Sequence, residues 1–130
     1  MKSNESHELS IIDEQHSIYI KLLDDLCMSV MARNRNMAIR IFSDLTDYSK
    51  SHQEFEESLM KEINYPYLDT HLVEHYKLRD ILKKIFENFD QMNIQTLIST
   101  LLEMKNDSIS HILYTDMPLI RHYKHLYFKN

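Results

Sequence analysis

An all-α fold is predicted for this chain: an up-down-up-down antiparallel four-helix bundle with a polar N-terminal lead and a short C-terminal tail. Three observations predict it. The 130 residues include no glycine and two prolines, so the residues that tolerate positive φ in hairpins and phosphate-cradling loops are missing. Apolar residues recur at three- and four-residue spacing in four stretches, which is the period of one helix face. Short loops separate the stretches, and short loops make consecutive helices antiparallel neighbours. The length fits one domain over residues 1–130.

The first helix is predicted over roughly 12–32, after a polar lead, on the face Ile12, His16, Tyr19, Leu23, Leu26 and Val30. The second runs over 37–63 on Ala38, Ile41, Leu45, Tyr48, His52, Phe55, Leu59 and Ile63. It ends at Asn64-Tyr65-Pro66-Tyr67, because proline disfavours helix in the residue before it and has no amide donor. The third is expected over 69–88, capped by Asp69 or Thr70, with His71, His75, Leu78, Leu82, Ile85 and Phe89 inward. The fourth is expected over 91–116, capped by Asp90, with Ile94, Leu97, Leu101, Met104, Ser108 and His111 inward, until Pro118 stops a regular continuation. His122, Tyr123, His125, Tyr127 and Phe128 form a short packed tail. Met28, Met31, Met60 and Met104 read as fillers of core gaps.

A net charge of −5 without a basic cluster argues against nucleic-acid or anionic-membrane surfaces, where phosphate binding is mainly electrostatic. No run is apolar enough to cross a bilayer, and the opening MKSNESHELS has no apolar core of a signal peptide. The single Cys27 has no intrachain partner and reads as a buried thiol in a reduced, cytoplasmic protein.

The chemistry lies in seven polar residues set on apolar faces: His16, His52, Glu56, His71, His75, His111 and Asp116. In such a bundle the starts of helices one and three share an end with the finishes of two and four, which puts all seven in one layer. His52 and Glu56 are four apart, as are His71 and His75, so each pair projects from one helix face. His111 and Asp116 are five apart, about 140° around a regular helix, so Asp116 joins the layer only if the last turn loosens. Burying this many unpaired polar groups would cost several kcal/mol, which coordination or a hydrogen-bond network must offset. Seven imidazole and carboxylate ligands exceed the four of a structural zinc site and suit two ions, and a nitrogen and oxygen set without thiolate suits iron. The Glu-x-x-His pairs of ferritin-like di-iron bundles are absent. His71-Leu72-Val73-Glu74-His75 also fits the inverted zinc-protease pattern, but the 55 residues after His75 are too few for that fold, and His16, His52 and His111 stay unexplained.

The constellation resembles the hemerythrin family, especially its bacterial single-domain members. The matching stretches are Ile12-Asp13-Glu14-Gln15-His16, His52-x-x-x-Glu56-Glu57-x-x-Met60, Tyr65-Pro66, His71-x-x-x-His75 and His111-Ile112-x-x-Thr115-Asp116. The resemblance implies that His71, His75 and His111 hold one iron and His16 and His52 the other. Glu56 and Asp116 would bridge the two irons together with an oxo or hydroxo group. Counted that way the second iron is five-coordinate and is where dioxygen would bind, reversibly, for carriage, storage or delivery. Two carboxylates and a hydroxide against two ferrous ions leave a positive site, which favours reversible binding over oxygen activation. The implied protein is not an enzyme. The alternatives are an oxygen or redox sensor module and a di-iron stress enzyme acting on peroxide or nitric oxide. The chain departs from the family pattern at Asp107, where a tryptophan is common, and at Ser108, where an apolar residue usually lines the oxygen pocket; with Ile112 these are the oxygen-pocket candidates. A polar wall at Ser108 would admit water and speed oxidation. His7, His122 and His125 fall outside the motifs and read as surface or tail residues.

Overall fold

The structure, a computed structural model, describes residues 2–127, with side chains described from Ser10 to Tyr127. Five helices follow one another: α1 (Lys2–Met31), α2 (Arg35–Glu62), α3 (Leu68–Glu87), α4 (Ile94–His111) and α5 (Met117–Tyr127), with a 3-10 turn at Phe89–Gln91 and a π turn at Ile112–Asp116. There are no strands among the described residues. Helices α1 to α4 pack as a closed antiparallel ring in which each meets its sequence neighbours and α1 meets α4.

Several boundaries differ from the sequence expectation. The polar lead is not separate: α1 begins at Lys2, ten residues before Ile12, because no glycine or proline interrupts it. Tyr67 is the N-cap of α3 and makes no side-chain cap, and Asp69 lies in the first turn, where a carboxylate still complements the positive end of the helix dipole. Asn93, not Asp90, caps α4, accepting from the Thr96 amide at 2.8 Å. Asp90 instead accepts from Arg35 Nη2 at 2.6 Å and pins the 3-10 turn to the start of α2. Pro118 does not end the helix. It is the second residue of α5, after the π turn, and proline is tolerated in a first helical turn, where its missing amide has no required partner. The tail is therefore an ordered helix whose Leu119, Ile120 and Tyr123 are buried; Phe128 lies outside the described residues.

Lacking glycine, the chain closes two helices with other residues. Arg33 (φ 58°) and Asn64 (φ 53°) take the left-handed conformation. The next amides complete the six-to-one bond of a Schellman cap, Asn34 N to Ser29 O and Tyr65 N to Met60 O, each 2.9 Å.

Two apolar clusters result. One fills the end bounded by the α1–α2 and α3–α4 loops, around Leu23, Leu26, Phe42, Leu45, Leu101 and Met104. The other, Ile12, Leu59, Met60, Tyr65, Leu119 and Ile120, is closed by α5. Cys27 is buried in the first. Met60 and Met104 are core residues, but Met28 and Met31 are 67% and 63% exposed, because they fall on the outer face of α1 near its C-terminal end. No helix among the described residues is long and apolar enough to cross a membrane.

Candidate metal centre

All seven predicted polar residues meet in the layer between the two apolar clusters. Four helices deliver six of them: His16 from α1, His52 and Glu56 from α2, His71 and His75 from α3, and His111 from the last residue of α4. Asp116 closes the π turn. The wider i→i+5 repeat of that turn does what a regular helix would not, bringing Asp116 back over His111 to place Oδ1 3.0 Å from His111 Nε2.

Every imidazole presents Nε2 to the two carboxylates, and each carboxylate divides its oxygens between two groups of histidines. Glu56 Oε1 faces His71 at 3.2 Å and His75 at 3.0 Å, while Oε2 faces His52 at 3.4 Å and His16 at 3.7 Å. Asp116 Oδ1 faces His71 and His111, both at 3.0 Å, while Oδ2 faces His16 at 2.9 Å. Separations of about 3 Å are those of neighbouring ligands on one ion with bonds of about 2.1 Å. The atoms form two sets with spreads under 4.8 Å: Glu56, His71, His75, His111 and Asp116, and His16, His52, Glu56 and Asp116. The sets share both carboxylates, so one is built on three histidines and the other on two.

Donor chemistry fits cations at these positions. Glu57 only accepts, so the His75 Nδ1 at 2.9 Å donates to it. In a neutral ring Nε2 then turns a lone pair toward Glu56 Oε1, two acceptors in contact, which calls for a metal ion or a proton between them. His52 repeats the pattern, its Nδ1 donating to Gln15 Oε1 at 2.8 Å. Glu56 Oε2 and Asp116 Oδ1 are buried without a hydrogen-bond partner, and both carboxylates are fully buried.

Without cations, protons perform the compensation. Burial disfavours the charged ring of His16, but Asp116 and Glu56 outweigh it and raise the group from 6.5 to about 9. His71 is raised to about 9 in the same way, burial being opposed by Asp116 and Glu56. His52, where burial dominates, is lowered. Burial works against the anions of Glu56 and Asp116, yet the surrounding histidines hold both below the ordinary carboxylate range.

Beside the centre is a cavity of about 20 Å³ lined by His16, Tyr19, His52, Ser108, Ile112 and Asp116, among others. Ser108 and Ile112, two of the three oxygen-pocket candidates, line this cavity. Asp107, the third, is exposed and lines an outer groove between α3 and α4, since consecutive helix residues point about 100° apart. Ser108 is 2% exposed and donates to the Tyr19 phenol oxygen at 3.5 Å. Glu74 pairs with Lys77 at 3.5 Å and not with the centre, contrary to the zinc-protease alternative. His122 packs edge-on against Tyr65, His125 is exposed, and the His7 side chain is outside those described.

Sequence reasoning missed the supporting partners Gln15, Gln53, Glu57 and Arg79. Arg79 donates to Gln53 Oε1 and, at 3.4 Å, to Glu57, and Gln53 Nε2 donates to the His75 carbonyl at 3.5 Å. The usable signal was the rule that a ligating imidazole needs an acceptor on its far nitrogen; Gln15 and Glu57, adjacent to His16 and Glu56, were the candidates.

Fold and site together define a helical-bundle protein with a buried cation-binding cluster. Residues 7–122, most of the chain, match the hemerythrin HHE cation binding domain. The chain belongs to the hemerythrin family. It is 33% identical over 63 residues to a bacteriohemerythrin of Stenotrophomonas maltophilia (strain R551-3), a stretch covering 48% of this chain and 41% of that protein. No solved structure matches the chain significantly.

Proposed function

We propose that this centre holds two iron ions with a bridging oxo or hydroxo group and binds dioxygen reversibly, serving as a carrier or store and not as a catalyst. The asymmetry of the two ligand sets carries the reading. Both share Glu56 and Asp116, but one has three histidines and the other two, so equal coordination leaves one more open position on the side of His16 and His52. That side borders the cavity of about 20 Å³, and roughly 10–15 Å³ on this measure holds one water. A diatomic molecule fits; a larger organic substrate does not.

Iron, when bound, would supply electrons to such a ligand and recover them on its release. The protein's own contribution is positional. Gln15 and Glu57 fix the tautomers of His52 and His75, so their Nε2 lone pairs face inward without reorganisation. The two apolar clusters close the layer above and below. Burial pushes the Tyr19 phenol above its ordinary value, so it keeps its proton at the cavity wall.

That same wall favours a second reading. The hydroxyls of Tyr19 and Ser108 meet at the cavity, where a carrier gains most from an apolar surface. Proton donors there suit reduction of peroxide or nitric oxide. Cycling the reduced, iron-loaded protein between oxygen and vacuum while recording visible absorption separates the readings. A band that appears and vanishes through repeated cycles supports carriage; irreversible bleaching, or sustained turnover of peroxide or nitric oxide with a reductant, supports the second. In the same assay Ser108→Leu should slow oxidation of the oxygenated protein several-fold, and an equal rate would remove Ser108 from the account.

A further inference from the structure

The five histidines of the centre are not equally supported on their far sides. His75 Nδ1 donates to the Glu57 carboxylate and His52 Nδ1 to the Gln15 amide. His71, 1% exposed, and His111, 8% exposed, have no partner for Nδ1 among the described residues; of the two, His111 borders a groove that carboxylates also line. His111 Nε2 is engaged by Asp116 on the inner side, and the ring is part of the wall of this groove between α3 and α4, which has a volume of about 370 Å³. A buried donor left unpaired costs about 1–3 kcal/mol, and a ligating imidazole nearly always finds an acceptor. The groove is polar and large enough for water.

Two carboxylates border it. Glu74 is paired with Lys77. Asp107 has no ion pair or hydrogen bond among the described residues, lines the groove, and precedes His111 by four residues on the same helix. Residues four apart on a helix are surface neighbours, with Cβ atoms about 5–6 Å apart, a span that one water bridges. We propose that Asp107 is the positioning residue for His111, its carboxylate accepting through one groove water from His111 Nδ1–H. Resting on the proposed metal centre, this gives the three-histidine ion two anion-backed ligands, His75 through Glu57 and His111 through Asp107. The two-histidine set has only the neutral Gln15 behind His52. The ion of the three-histidine set is thereby held more firmly than the ion of the two-histidine set.

The test uses the full chain loaded with zinc, a diamagnetic substitute that allows imidazole N–H signals to be recorded by NMR, with metal release to a chelator measured in parallel. Asp107→Ala should shift or broaden the His111 Nδ1–H signal and speed release of the more firmly held ion about tenfold, the lower end of the effect of outer-sphere partners. Asp107→Asn, which keeps an acceptor, should restore much of the signal. Glu57→Ala provides the reference effect on the His75 signal. Unchanged His111 signal and release rate in Asp107→Ala, with Glu57→Ala effective, would overturn the proposal, as would a His111 shift caused by Glu74→Gln and not by Asp107→Ala. A wild-type chain that takes up no metal would instead overturn the metal-centre reading, and this inference with it.

Discussion

At the scale of single residues, the division of oxygens by Glu56 and Asp116 would make the two proposed ions unequally dependent on individual ligands. Removing His16 takes one of two histidines from a single set, whereas Glu56 serves both. His16→Ala should therefore bind about half the wild-type iron and Glu56→Ala almost none, measured as iron per folded chain. Equal losses would argue against shared carboxylates. Titration adds a second expectation for the metal-free chain. His16 and His71 rise from 6.5 to about 9 on folding, so their contribution is fully present below pH 6.5 and is lost as pH rises through about 9. Glu56 and Asp116 are lowered from 4.5 and 3.8, so theirs is present above those values and lost as pH falls below them. His52, lowered by burial, contributes stability that falls as pH drops below 6.5, so urea midpoints of the metal-free protein should peak near pH 6.5 and decline toward about 9. Metal replaces the protons, so loading should release protons at neutral pH and flatten that decline. The ligand types were legible in the sequence because histidines at helical spacing on apolar faces need a reason; Gln53 and Arg79 were not, because their partners come from other helices.

At the scale of elements, two irregularities set the geometry. A π turn carries the chain from His111 to Asp116, and a five-residue spacing on a helix already required one loosened turn; what the sequence did not disclose is that the helix resumes beyond it. Pro118 suggested a stop, yet its place in the first turn of α5 removes the objection to proline. The second irregularity is Arg33 at φ 58°. A non-glycine residue in this region costs about 1–2 kcal/mol, partly offset by the lower entropy it loses on folding. Arg33→Gly should stabilise the chain by about 0.5–1 kcal/mol in equilibrium denaturation. Asn64→Gly should change it by less, since asparagine tolerates the conformation. Caps were the least legible part: Asp69, Thr70 and Asp90 had suitable chemistry, but the loop path gave the α4 cap to Asn93 and left Asp90 to Arg35.

At the scale of the whole molecule, the centre is a polar layer between two apolar clusters, and α5 completes the second. Periodicity made the first cluster legible because four faces declare it. The second depends on Leu119, Ile120 and Tyr123 in a segment too short to show a period on its own. Because all four bundle helices contribute residues to the centre, bound metal would stabilise the fold as a unit. At a thousandfold excess over the dissociation constant the gain is about 4 kcal/mol, so chelation should lower the melting temperature by about 10–15 °C without changing helix content at 25 °C. The claim on which the rest depends is that this chain binds two ions in unequal sets joined by two carboxylates. Anomalous diffraction from crystals of the iron-loaded protein tests it most directly. The account predicts two peaks, one about 2.1 Å from Nε2 of His71, His75 and His111 and the other the same distance from Nε2 of His16 and His52, with Glu56 and Asp116 between them. A single peak, or none at these nitrogens, would contradict it.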